Sequence, residues 1–379
     1  GNNLFHSFQT FDIQQGQSAT FTGPDQIQNV ISRVTGGQAS QLDGTLRSQV
    51  GKADVFLVNP SGVVMGPNAK VDVPAAFHVS TADEVRFTDG SRYSASAPAS
   101  STLTMAAPES FGFLSPQPAS LTVNGSQLEM KSGKTATLTA GDVSIAGNAG
   151  RQAGLSAPGG GIRIEAVGAK GGQISVTKPA DRPGSGRLSV EHARIDTSGE
   201  TGGRISMRAG EAMLTEAILT AENQGVNDAI GGIDVNIAAR LNLNASAMFS
   251  DTRSNGAGGT IRIQAAALQM DDSVITSDSY QNPNYPALGR IGQAGKVALE
   301  IDALLEVVNG AAIHSDTWSE GDAGTVTIRA ETVRLDGTGG DRFTGLSSDA
   351  QPGSTGRAGM VTLEVDESLE LLNGAAIRS

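Results

Sequence analysis

The chain of 379 residues has no cysteine. No thiol can therefore lock it prematurely on passage through an oxidising compartment such as a periplasm, and that absence leans toward export. Charged residues make up 17% of the chain and aromatics 4%, and the net charge is −12. With so few cations and no basic run, a phosphate-binding surface is excluded, so no nucleic-acid partner is expected. No apolar run approaches the ~18 residues of a membrane span. The start, Gly1-Asn2-Asn3-Leu4-Phe5, carries neither a signal-peptide pattern nor a Met, which reads as a processed, N-terminally trimmed chain.

What is present is apolar and glycine-rich. At 38% hydrophobic residues with 49 Gly, the chain can bury a large core and favours short strands and tight turns over helices. Nine of the eleven Phe lie between Phe5 and Phe113, with only Phe249 and Phe343 beyond, so the packing material changes near residue 115. Ser115-Pro116-Gln117-Pro118 forms a joint there. The expected domains are residues 1–115 and 116–379.

Beyond the joint a unit recurs, with starts at Gly203, Gly232, Gly259, Gly295, Gly324 and Gly359. Inside it apolar residues alternate: Ile233, Val235, Ile237, then Leu241, Leu243; Val297, Leu299, Ile301, then Leu305, Val307. Period two means strands. Each unit carries three short strands before it recurs, which a hairpin meander would not do. The expected fold is all-β: a right-handed parallel β-helix, or solenoid, with an N-terminal capping and secretion region. Two stretches nearly coincide, Leu304 to Ser315 (LLEVVNGAAIHS) and Ser368 to Ser379 (SLELLNGAAIRS); as the first runs on into another coil, the repeats are expected to continue beyond Ser379. The polar segments Ser279 to Gln293 and Gly337 to Arg357 should loop out and offer a variable binding surface.

Residues 4 to 113 carry a series of motifs: Leu4-Phe5-His6-Ser7-Phe8, Ile31-Ser32-Arg33-Val34-Thr35-Gly36-Gly37, Leu42-Asp43-Gly44, Phe56-Leu57-Val58-Asn59-Pro60-Ser61-Gly62-Val63-Val64-Met65-Gly66-Pro67-Asn68-Ala69, Ser80-Thr81-Ala82-Asp83 and Pro108 with Phe111-Gly112-Phe113. In number and order they resemble the secretion domain of two-partner secretion exoproteins, the filamentous-haemagglutinin-like family. This chain has Asn59-Pro60-Ser61-Gly62 where the family has Asn-Pro-Asn-Gly, and Pro74-Ala75 where a Gly pair is usual. The resemblance implies an outer-membrane β-barrel transporter as partner, recognition through Asn59, Pro60, Ser61 and Gly62, passage unfolded and folding outside, in a Gram-negative bacterium. The protein is then secreted or held at the cell surface.

Each candidate residue has a plainer reading. Asn59-Pro60-Ser61-Gly62 is also ordinary turn chemistry, since Asn opens a turn, Pro fixes φ and Gly accepts a positive φ. Phe5, Phe8, Phe11, Phe21, Phe56, Phe77 and Phe111 read as core and end-capping rather than a ligand pocket. His6, His78, His192 and His314 have no metal-ligand spacing. Asp271, Asp272, Asp278, Asp302 and Glu306 are the nearest to an acid-sugar-cleaving set, but adjacent carboxylates point to opposite faces of a strand. Asn124-Gly125-Ser126 and Asn244-Ala245-Ser246 match the glycosylation acceptor pattern, and Trp318 reads as a loop residue. No catalytic residue, metal or cofactor is expected, and the chain is expected to be monomeric. The expected function is a secreted exoprotein whose stalk serves adhesion to a host receptor, glycan or other surface. The alternatives are another payload, as a cytolysin, contact-dependent toxin or haem-acquisition protein, and, further off, a polysaccharide-cleaving enzyme.

Overall fold

The computed structural model describes residues 1–148, 150–170, 172–280, 291–339 and 342–379. The chain divides into two compact units, the first made of Gly1–Ala157, Ile162–Ala193 and Met207–Glu211, the second of Pro158–Gly161, Arg194–Ser206 and Ala212–Ser379. No α-helix occurs among the described residues.

In the first unit the strands Asn3–Phe8, Asn29–Val34, Asp54–Val58, Phe77–Ser80 and Thr135–Ala140 pair in parallel, each with the next. A second parallel ladder runs through Ser40–Leu42, Val63–Met65, Leu121–Asn124, Val143–Ala146 and Arg187–Glu191, and a third face holds Ser18–Phe21, Thr45–Ser48 and Lys70–Asp72. Parallel neighbours separated by a whole winding are what a β-helix requires, because a two-residue hairpin can only join antiparallel strands. Paired positions Asn3, Asn29 and Asp54 set a coil of 26 and then 25 residues. Between Phe77 and its partner Ala136 the interval swells to 59.

Within the extra length lie three of the four strands of an antiparallel sheet that the sequence did not disclose. Glu84–Phe87 pairs with Arg92–Ser94 and with Pro108–Phe113, and Pro108–Phe113 pairs with Gly172–Ser175. Its Val85, Phe87, Tyr93, Phe111 and Phe113 pack on Ile31, Phe56 and Val58 of the parallel ladder. The ladder is thereby buried on both faces, and aromatic side chains fill the second one. Phe5 meets Phe87 edge-on at 5.9 Å and Tyr93 at 4.9 Å, and Phe56 lies 6.3 Å from Phe111. The concentration of Phe before residue 115 follows from this two-sided burial.

The second unit repeats more evenly. Long strands Gly232–Asn244, Thr260–Asp271, Lys296–Val308, Thr325–Asp336 and Met360–Leu372 stack in parallel, and the register shifts near the middle of each pair, where the first, third and fifth strands carry one residue more than their neighbours. The first two of the three short strands expected per unit are thus one strand, its pairing shifted by a residue midway rather than broken. After four of these strands the chain turns through left-handed residues: Ala245 or Asp272 alone, or Asn309 or Asn373, each followed by a left-handed glycine, Gly310 or Gly374. It then enters a third-face strand: Ala247–Phe249, Val274–Thr276, Ala312–His314, Gly345–Ser347 or Ala376–Arg378. The alternating set Ile233, Val235, Ile237, Leu241, Leu243 is buried as expected, as are its counterparts one coil on.

The recurring glycine has a steric cause. A Cβ on Gly324 would run into the Gly295 carbonyl and the Ser315 hydroxyl, and one on Gly359 into the Gly324 carbonyl and the Ser348 hydroxyl. Because Gly232 pairs with Thr260, the residue equivalent to Gly259 is Gly231, one place before the expected start. Of the two expected loops, 281–290, 340 and 341 lie outside the described residues. The stretch Gly337 to Arg357 is not loop throughout, since Gly345–Ser347 is a paired strand.

Candidate functional site

Asn59 follows the strand Asp54–Val58 and rounds a corner of the first unit. Its backbone N–H donates to the Ser80 carbonyl one coil on (3.0 Å). Its side-chain Nδ2 donates back to the Gln38 carbonyl (2.9 Å) and the Ser40 hydroxyl (3.0 Å), and Oδ1 accepts the Ser61 N–H (2.9 Å). Gly62 N–H closes the turn on the Asn59 carbonyl at 3.1 Å, with φ of 115° at Gly62. Asn59 is 0% exposed, while Pro60 and Ser61 are half-buried. The folded motif therefore ties three successive coils together and offers solvent only its tip, Pro60 and Ser61.

The other motifs also work at corners. Asp43 accepts the Asn68 N–H (2.8 Å) and its side-chain amide. Asp83 accepts the Leu114 N–H (2.6 Å) and the Ser115 N–H (2.9 Å), closing the neck of the antiparallel sheet. Arg33 donates to the Ser94 carbonyl (2.6 Å) and lies 4.1 Å from the Tyr93 ring centre.

A second cluster, in the second unit, went unread in the sequence. Ser-Asp recurs at Ser250-Asp251, Ser277-Asp278, Ser315-Asp316 and Ser348-Asp349, at the corner after each third-face strand. Each of the first three carboxylates accepts the backbone N–H of the next Asp: Asp251 from Asp278 (2.8 Å), Asp278 from Asp316 (2.7 Å) and Asp316 from Asp349 (2.7 Å). His314 Nδ1 sits 3.0 Å from Asp278 and 3.8 Å from Asp316. Outward of the column Arg253, Tyr280 and Trp318 lie in a row, Tyr280 stacked on Trp318 at 6.1 Å. The Ser-Asp recurrence was the available signal; its intervals of 27, 38 and 33 residues hid it.

The remaining candidates are dispersed. His78 is buried against Phe56, 4.4 Å between ring centres, and its pKa is lowered to about 3 by burial and then by Arg163. Asp271 accepts the Asn309 amide (2.9 Å), Asp272 pairs with Arg342, and Glu306 pairs with Arg334 (3.2 Å). These carboxylates do not converge with Asp278 on one accessible place. Asn124 and Asn244 are exposed, but the hydroxyls that complete their patterns are turned inward, Ser126 donating to Gly66 O (2.7 Å) and Ser246 to Asn244 O (2.9 Å). Among the described residues no group of three or more His, Asp or Glu is disposed to hold a metal ion.

Comparison with known proteins agrees with this architecture. A family model described as TPS secretion domain matches residues 1–263. The crystal structure of the HMW1 secretion domain from Haemophilus influenzae superposes with a TM-score of 0.61 at 18% identity, covering 98% of this chain and 95% of that one. Two proteins of Haemophilus influenzae named heme/hemopexin-binding protein are similar: one is 41% identical over 68 residues, the other 36% over 84, or 18% and 22% of this chain. The aligned stretches span only 7% and 9% of those relatives' lengths.

Proposed function

The chain belongs to the TPS, or two-partner secretion, secretion domain family, and from that premise we propose that it directs export of an exoprotein. An outer-membrane β-barrel partner reads its N-terminal part, and the chain folds outside the cell, where the product is released or held at the surface. Recognition falls within residues 1–115, with 116–379 forming the stalk. The observation that carries this reading is that the parallel strands of each coil pair with those of the coils directly before and after it, and that Asn59 bonds to both neighbours in the same way. Such a chain folds one winding at a time as it emerges, and each winding hinders return.

The transporter contact is assigned to Asn59, Pro60, Ser61 and Gly62 before the coil closes. Every polar atom of the Asn59 side chain is engaged in the folded state, so a partner can hydrogen-bond it only while the turn is open. Expected for Asn59→Ala is a loss of about 1–3 kcal/mol in stability together with a loss of secretion. Secretion yield beside the cognate transporter and the urea midpoint of the refolded chain are to be compared with Thr81→Ala, which removes a part-buried bond to the Ala119 carbonyl (2.7 Å). If secretion falls equally in two variants of equal stability, the motif acts as a turn alone.

For the exported product we propose surface binding without catalysis, as an adhesin presenting the outward side of its coils. A second reading, haem acquisition, is favoured by the names of the two similar Haemophilus proteins. Binding of haem or hemopexin by the full-length exoprotein, against binding to host cells, separates the two.

A further inference from the structure

We infer that the column Asp251, Asp278 and Asp316, closed by His314, is a proton-loaded lock between successive coils of the second unit, whose folding takes up protons and is firmer in acid than in base. The three carboxylates are 1%, 0% and 3% exposed. They stand on adjacent coils, whose strands are spaced by ~4.8 Å. Like charges so close and so dry cannot all be carried without a proton or a cation.

Among the described residues the groups facing the column are few. Asp251 accepts the Thr276 hydroxyl (2.7 Å), and beside it Glu222 pairs with Arg253 at 3.0 Å. Asp278 accepts the Tyr280 phenol (3.0 Å) and His314 Nδ1. Asp316 accepts the Ser347 hydroxyl (2.9 Å) and the Gln351 amide (2.7 Å), with Asp349 following it. Arg253 is turned to Glu222, so among the described residues the cation inside the column is the His314 imidazole. A metal is the other way to relieve the crowding, but no group disposed to hold one is found among the described residues.

The proton affinities run with the geometry. Burial, then the neighbouring Asp278, pushes Asp251 from 3.8 up to about 7. Burial would lower His314, but Asp278 and then Asp316 and Asp251 outweigh it and raise it from 6.5 to about 9. Burial also holds Asp316 up. A group raised on folding contributes stability that is whole below its unfolded pKa and is lost as pH rises through its folded one. Asp251 thus acts between about pH 4 and 7, and His314 between about pH 6.5 and 9. Both act in the same direction.

The test is urea unfolding of the whole chain, read through the fluorescence of Trp318, its one tryptophan, which lies against Tyr280 beside the column. Asp251→Asn imitates the protonated carboxyl and keeps both accepted bonds. Its unfolding constant, relative to the native chain, should fall on the order of a hundredfold between pH 5 and pH 8. His314→Gln should be destabilised most at pH 6, with a deficit that shrinks on the order of a hundredfold by pH 9.5. Ratios that do not move with pH would overturn the proposal. So would calcium stabilising the native chain at pH 8 but not Asp278→Asn, which would put a metal where we place the proton. Should a variant fail to fold, the native chain decides: its urea midpoint must fall from pH 6 to pH 9, and a midpoint that rises sinks the idea.

Discussion

In the first unit one parallel ladder is buried from both sides, and aromatic rings of an inserted antiparallel sheet fill its outer face. In the second unit the interior is aliphatic, and the corners are held by polar columns that repeat with the coil: the Ser-Asp carboxylates and the serine hydroxyls that donate to glycine carbonyls, as Ser315 does to Gly295 at 2.9 Å. The first arrangement is made once and depends on contacts distant in sequence; the second is made again at every winding. A repeated device stabilises by nearest neighbours, so it tolerates loops of unequal length between repeats, whereas the insertion needs all four of its strands together.

The largest expected effect probes the insertion. Phe111 is fully buried in the shared core, and Phe111→Ala should cost about 3–5 kcal/mol, because the cavity lies between two sheets that cannot both collapse into it. The denaturant midpoint gives the size. Hydrogen exchange should locate the loss over Glu84–Phe113. A loss below about 1 kcal/mol would mean that the antiparallel sheet is an ornament on the first unit rather than half of its core.

Protonation sharpens the contrast, because the two units treat a buried histidine in opposite ways. His78 is held neutral by burial and by Arg163, its pKa lowered from 6.5 to about 3. A base depressed on folding destabilises the fold as pH falls below its unfolded value, so between about pH 6.5 and 3 His78 costs about 1.4 kcal/mol per pH unit. His314, raised to about 9, works the other way in its own window. In imidazole NMR spectra from pH 8 to pH 5, His78 should not titrate, and His314 should already be charged at pH 7. Titration of both near 6.5 would erase the distinction.

What the sequence disclosed divides along the same line. Alternation over Ile233 to Leu243 and the glycine recurrence were legible because their causes are local: side-chain period two, and a Cβ that cannot fit at Gly324. The motifs of the first unit could be matched without being understood. Asn59 draws its partners from Gln38, Ser40 and Ser80, and the insertion's fourth strand, Gly172–Ser175, lies far along the chain from Pro108–Phe113. No window on the sequence holds such pairs. The Ser-Asp column was written in the sequence, but unequal loops broke its period, and only stacking puts His314 on Asp278.

The smallest effect is the one that tests whether the second unit is truly built by repetition. Four of the five third-face strands named above are entered through a left-handed non-glycine residue, and where Asn309 and Asn373, each followed by a left-handed glycine, occupy that turn their side chains donate to Asp271 (2.9 Å) and Asp336 (2.8 Å) on the coil before. Ala245, with φ of 47°, has no such bond to offset the crowding of its Cβ. Left-handed geometry costs a non-glycine residue roughly 1–2 kcal/mol, and glycine returns about 0.5–1 kcal/mol of that through the freedom it loses on folding. Ala245→Gly should therefore stabilise by a few tenths to about 1 kcal/mol. Asn309→Gly, made at the equivalent corner, should not, because it gives up the bond to Asp271. If the two substitutions shift the urea midpoint alike, the turn is set by backbone strain alone and the side-chain ladder between coils contributes nothing.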